Sequence, residues 1–149
     1  MQGFISNSPL ARGLIRIGDD AIARENEPVL RDYFADGYVF HGPNADLRFE
    51  QLREYFASLR DAFANLRLVR EQIIVDGNYL SAITNFSGDF TGVFTHSPIG
   101  PVQPTGRHVA WEVMGMFKYN DDGRLIEEWV QTDYRRLLTN LGVNVTESV

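Results

Sequence analysis

Apolar positions change their period near the middle of the chain. Up to Phe63 they recur every three or four residues, and beyond Leu66 they fall into long β-rich runs. The first spacing lines one stripe of a helix and the second suits strands. From residue 9 to about 25, Leu10, Leu14, Ile17, Ala21 and Ile22 keep helical spacing, with Ser8 as an N-cap before Pro9. Asn26 and Pro28 repeat that start signal for a second short helix, which carries Val29, Leu30, Tyr33 and Phe34 and ends at Asp36-Gly37. Tyr38-Val39-Phe40 then reads as a short strand running into His41-Gly42-Pro43. The clearest helix spans about 47–63, where Phe49, Leu52, Phe56, Leu59 and Phe63 form an apolar stripe.

The second half predicts strands over 66–75 and 79–86, joined by the hairpin signal Asp76-Gly77-Asn78. Three prolines and two glycines within 96–106 predict a long loop, suited to a lid or a plain connector. Strands at 107–119 and 124–134 meet across Asn120-Asp121-Asp122-Gly123, and 135–142 closes with a helical turn. Two to three helices followed by a β-meander make an α+β fold. The expected organisation is a flexible arm at 1–8, one domain at 9–142 and a tail at 143–149.

Composition narrows the function more than the fold. A chain of 149 residues with 44% apolar content suits a single domain with its own core. A net charge of −6 argues against a nucleic-acid partner. The absence of cysteine excludes disulfides, thiolate nucleophiles and thiolate-bound metal. With no basic-apolar leader and no run of eighteen apolar residues, a cytoplasmic protein without a membrane span is expected. No metal-ligand spacing, glycine-rich phosphate loop or nucleophile elbow occurs, so neither metal nor cofactor is expected.

The last hairpin concentrates the candidate chemistry. A three-residue loop at Asp121-Asp122-Gly123 pairs Asn120 with Arg124. Uninterrupted pairing then sets Gly115 opposite Trp129, Val113 opposite Gln131 and Trp111 opposite Asp133, all on one face. A carboxylate held against tryptophan is poorly solvated, which raises its pKa toward the range useful for proton transfer. Asp133 is therefore the candidate acid–base group. An aspartate near a strand end is also a common helix cap or salt-bridge partner. On the opposite face, Glu112, Met114, Met116, Lys118, Glu128 and Val130 offer a surface for a second copy.

His41-Gly42-Pro43, Ser87-Gly88-Asp89-Phe90-Thr91-Gly92, Pro104-Thr105-Gly106-Arg107, the run from Asp122 to Trp129, Asp133 and Leu141-Gly142 occur in an order that resembles the SnoaL-like polyketide cyclase (ester cyclase) family. The resemblance covers roughly residues 10–142. It implies the cone-shaped fold of nuclear transport factor 2, a cystatin-like roll in which a curved antiparallel sheet wraps a long helix. It further implies a homodimer through the sheet and ring closure by intramolecular aldol condensation without cofactor or metal. The family's acid–base aspartate, near the end of the last long strand, matches Asp133. Two departures stand out: Glu128 where relatives commonly carry histidine, and Gly88-Asp89-Phe90 where they commonly read Gly-Thr-His.

His41, at the expected pocket rim, is a candidate polar partner for Asp133. Trp129, Trp111, Phe56, Phe86, Phe90 and Gln131 are candidate substrate contacts. His96 belongs to the expected loop, and His108 faces away from Asp133. The expected substrate is a small apolar carbonyl-bearing molecule that is cyclised or isomerised. The alternative is a non-catalytic ligand-binding or accessory domain of the same fold.

Overall fold

In the computed structural model, which describes residues 3–145, the change of period marks the passage from helices to sheet. α1 (Pro9–Ile17) starts at Ser8, whose Oγ accepts a hydrogen bond from the Leu10 amide at 3.1 Å. A cap of this kind contributes about 1 kcal/mol. The helix runs into a π-helical turn over Gly18–Ile22 and does not continue as α-helix to residue 25. Arg60 donates to the carbonyl oxygens of Ala21 and Ile22 at 3.2 and 3.1 Å, satisfying the end of that turn.

α2 (Glu27–Tyr33) leads into β1 (Phe34–His41), β2 (Asp46–Arg48) and α3 (Phe49–Ala62). β1 claims Phe34 and the Asp36-Gly37 pair, because both its edges find partners: β2 antiparallel on one side and the last long strand parallel on the other. α3 buries Leu52, Phe56, Leu59 and Ala62 along one stripe, as its spacing predicts. Then come β3 (Phe63–Asp76), β4 (Tyr79–Phe90), β5 (Phe94–Ser97), β6 (Gly100–Val102), β7 (His108–Tyr119), β8 (Leu125–Thr132) and α4 (Tyr134–Asn140). The expected loop at 96–106 thus contains half of a small β5–β6 hairpin, turned at Gly100 with φ +88°.

Six strands form one curved sheet in the order β2-β1-β8-β7-β4-β3. Its inner face carries α3 and the core; Phe63, Phe90, Phe94 and Trp111 pack there edge-on and stacked. This is the α+β roll the sequence predicts. The N-terminal arm is not free over its described part. Ser6 donates to the Ile73 carbonyl at 2.9 Å and Ile73 to that of Phe4 at 2.8 Å, extending the sheet past β3. Residues 1–2 of the expected arm and 146–149 of the expected tail lie outside the described residues.

The β7–β8 turn forms as expected, and the register beyond it does not. Asn120 pairs with Arg124 through a 2.9 Å bond, and the Asn120 Oδ1 accepts from the amides of Asp122 and Arg124 at 3.0 Å each. Gly123 takes φ +78°, a conformation that favours glycine. Tyr119 then pairs with Leu125, but Lys118 pairs with Glu127, leaving Ile126 as an unpaired extra residue. That β-bulge shifts every later partner by one and exchanges the faces. Phe117 meets Glu128, Met116 meets Trp129 and Val113 meets Thr132.

Candidate functional site

The bulge at Ile126 decides which side chains of β8 enter the roll. Leu125 and Glu128, three residues apart, are both buried, a spacing that strict alternation forbids. Between the sheet's inner face and α3 lies a cavity of about 490 Å³, to which Glu128, Val130 and Thr132 contribute from β8. Its walls are largely apolar, with Trp111, Phe86, Phe56, Phe40 and Val113 among them. Exposed Pro43, Asn44, Gln51, Glu54 and His96 lie at its rim.

Polar groups gather at one end. The Tyr38 hydroxyl donates to Glu128 Oε1 at 2.5 Å, while Oε2 has no protein partner among the described residues. Glu128 is only 7% exposed, and burial pushes its carboxyl up to about 7. The Tyr38 hydrogen bond and the positive charge of Arg70 oppose that rise without cancelling it. Arg70 extends from β3 into the same region, donating from Nη1 to Thr84 Oγ1 at 2.9 Å and from Nη2 to the Leu14 carbonyl at 3.2 Å. Beside them the hydroxyls of Tyr33 and Tyr119 bond to each other. Burial drives the phenols of Tyr33, Tyr38 and Tyr119 well above their ordinary range, so they act as neutral donors. Tyr55, from α3, lines the cavity as a further phenol raised by burial.

The expected site residues divide sharply. Trp111, Phe56 and Phe86 line the cavity, and Phe86 stacks on Trp111 with ring centroids 5.4 Å apart. Phe90 is fully buried in the core against Phe63 and does not line it. Asp133 is exposed and does not meet Trp111; its Oδ1 accepts from the Arg136 amide at 3.0 Å and caps α4. The one-residue shift at the bulge takes Asp133 out of register with Trp111, and β8 ends at Thr132, so Asp133 caps α4. Trp129 and Gln131 point outward for the same reason, Trp129 opposite Met116 and Gln131 opposite Met114.

His41 also sits on the outer face. Its ring stacks on Trp129 at 5.5 Å, with Nε2 at 2.7 Å from Glu127 and Nδ1 at 3.1 Å from Asp46. The hydrogen bonds to Glu127 and then Asp46 raise its pKa. His108 pairs with Asp89 at 3.0 Å on the surface, whereas His96 reaches the cavity rim from β5. Sequence reading missed Glu128, Tyr38, Arg70 and Thr84 as polar site residues. A signal for two of them was present: Arg70 continues the inward phase of Leu66 and Leu68, and Thr84 that of Leu80 and Ala82. A charged or hydroxylic residue in a buried phase needs a partner or a purpose.

Among the described residues no cluster of three or more histidines and carboxylates could hold a metal. No described helix is long and apolar enough to cross a membrane.

The model of the family described as SnoaL-like polyketide cyclase matches residues 13–141. No curated protein matches the chain. Solved structures agree on the architecture. A protein assigned as a SnoaL-like polyketide cyclase from Jannaschia sp. CCS1 superimposes with TM-score 0.76 at 23% identity, over 93% of this chain and 98% of that one. IdmH from Streptomyces antibioticus, assigned as a polyketide cyclase, gives 0.73 at 22% identity over 91% and 100%. A protein of ketosteroid isomerase-like fold from Catenulispora acidiphila DSM 44928, solved with trimethylamine, gives 0.69 at 11% identity over 97% and 100%.

Proposed function

Because the chain belongs to the SnoaL-like polyketide cyclase family, a cyclase-type role is the premise, and we propose that Glu128 is its acid–base group. The single observation that carries this is a carboxyl at the inner end of an apolar cavity, bonded to Tyr38 through one oxygen and unpartnered at the other. Its pKa of about 7 suits both removal and return of a proton at neutral pH. The substrate is a small, largely apolar molecule bearing a carbonyl. Glu128 Oε2 takes a proton from the carbon beside that carbonyl, and the resulting enolate carbon attacks a second carbonyl of the same molecule. A carbon–carbon bond forms, the attacked oxygen becomes an alkoxide, and the Glu128 acid returns the proton to it. Atoms balance without cofactor or co-reactant, and halting at enolate reprotonation gives isomerisation instead.

This reading moves the acid–base role from Asp133 to a residue at which the sequence departs from the pattern the resemblance implies. Glu128 replaces a histidine with another group that titrates near neutrality, given its burial. The same proposal includes a homodimer through the outer sheet face, supported by exposed Met114 and Met116.

Hydrogen–deuterium exchange at the methyl group of 2-acetylnaphthalene in D₂O, followed by NMR, tests the proton-transfer step without the natural substrate. The protein accelerates exchange, and Glu128→Gln removes about a hundredfold or more of that acceleration. Asp133→Asn leaves it within about twofold, since the Asp133 side chain caps α4 and does not line the cavity. Equal loss in the two variants, or none in Glu128→Gln, contradicts the proposal.

A further inference from the structure

Three surface arginines are paired with carboxylates, and the arginine facing the cavity is paired with none. Arg31 and Arg53 reach Glu27 and Glu50, and Arg124 reaches Asp32, all on exposed ground. Arg70, shielded from bulk water and lining the cavity, forms no salt bridge among the described residues. A guanidinium has five N–H donors. Thr84 and the Leu14 carbonyl take one each, and Nε is buried with no partner at all. Arginine does not shed its proton to relieve this, so a buried positive charge persists. The titratable groups around it are Tyr33 from α2, Tyr119 from β7, Glu128 from β8 and Asp19 from the π-helical turn. The phenols are neutral and Glu128 is largely protonated below pH 7, which leaves Asp19, the weakest of the four influences and not in salt-bridge contact, as the one firm counter-charge among them.

We propose that Arg70 makes this cavity a site for molecules carrying an anionic oxygen, either a carboxylate or the enolate of a 1,3-dicarbonyl, held at the guanidinium between apolar walls. Such an oxygen takes the N–H donors left over on Nη1 and Nη2 and sets a negative charge directly against the guanidinium, and low local polarity strengthens the contact. Thr84 and the Leu14 carbonyl fix the guanidinium so that little side-chain order is lost on binding. For the proposed reaction, Arg70 would stabilise the enolate that Glu128 generates. That enolate role rests on the proposed function, whereas carboxylate binding does not.

Two binding experiments on the full chain separate the sources, the first at about pH 6 and the second across a range of pH. In the first, 2-naphthoate binds roughly tenfold tighter than its neutral isostere 2-naphthamide, measured by calorimetry. In the second, absorbance titration of bound benzoylacetone shows its enol ionising about one unit lower than in water. A positive result in either arm supports the site and identifies its ligand chemistry. Arg70→Gln abolishes the effect while 2-naphthamide still binds; should that variant not fold, the wild-type comparisons stand on their own. Equal affinities with no ionisation shift, failure of both anions to bind, or a preference undiminished in a folded Arg70→Gln protein overturns the inference. Loss of exchange in Glu128→Gln without any anion preference sinks this inference alone. Anion preference with no exchange sinks the reaction alone.

Discussion

Glu127 and Glu128 are neighbours in the chain and end on opposite faces of one sheet. Glu127 lies outside, half-covered, with His41 against its carboxylate at 2.7 Å. Glu128 lies inside, bonded to a phenol and facing an apolar cavity. The side chains are chemically identical; only the face differs. Outside, water and a histidine satisfy the charge, and the visible effect is on His41, whose pKa rises. Inside, the charge itself becomes costly and the carboxyl holds its proton to about pH 7. Position relative to a single bulge residue, and not residue type, creates the chemistry.

Trp111 and Trp129 repeat that contrast and give the largest expected effect. Trp111 is 5% exposed among Phe63 and Phe86, while Trp129 is 38% exposed beside His41. Trp111→Ala costs about 3–5 kcal/mol in urea unfolding and Trp129→Ala under about 1 kcal/mol. Similar costs for the two would mean that the faces do not differ as described.

Next comes the pH dependence of stability. Glu128 binds its proton more tightly in the folded state than in the unfolded one, so the stability it contributes is fully present below the ordinary carboxylate value of 4.5 and is lost as pH rises through about 7. The total decline is roughly 3 kcal/mol, from the size of the shift. Glu128→Gln removes that decline and is the more stable protein at pH 8, as paired urea melts at pH 5 and pH 8 would register. An unchanged slope in the variant assigns the dependence elsewhere.

Smaller effects belong to the outside. Asp133→Ala loses one helix cap, about 1 kcal/mol, and a chemical melt together with exchange kinetics should find stability lowered and proton transfer intact. His41 titrates above its ordinary value, and Glu127→Gln lowers its midpoint in an NMR titration while leaving Glu128 chemistry untouched. A His41 midpoint insensitive to Glu127→Gln would break the pairing on which the comparison rests.

Local signals carried most of the fold. Ser8-Pro9, the stripe along α3 and the Asn120–Gly123 turn each depend on residues close in sequence, and each formed as read. The bulge at Ile126 does not depend on such signals. It lies where β8 is paired on both sides, with β7 antiparallel and with β1 parallel, between the Phe34–Leu125 and Val39–Glu127 pairs. Nothing near residue 126 in the sequence announces that second partner. One unpaired residue then carried Asp133, Trp129 and Gln131 away from the cavity and brought Glu128 into it. Trp111, Phe56 and Phe86 were legible because they lie on elements whose phase no such bulge displaces at the site. The N-capping role of Asp133 was the bland alternative in the sequence, and it is the arrangement the structure displays.

The central claim is that a carboxyl buried in this cavity changes its charge near neutral pH. Carbon-13 NMR of protein labelled at the glutamate carboxyl carbons reads that event directly, with Glu128→Gln identifying the resonance. The account predicts one carboxyl titrating with a midpoint of about 7 that vanishes in the variant. A Glu128 resonance already ionised at pH 5 would contradict it.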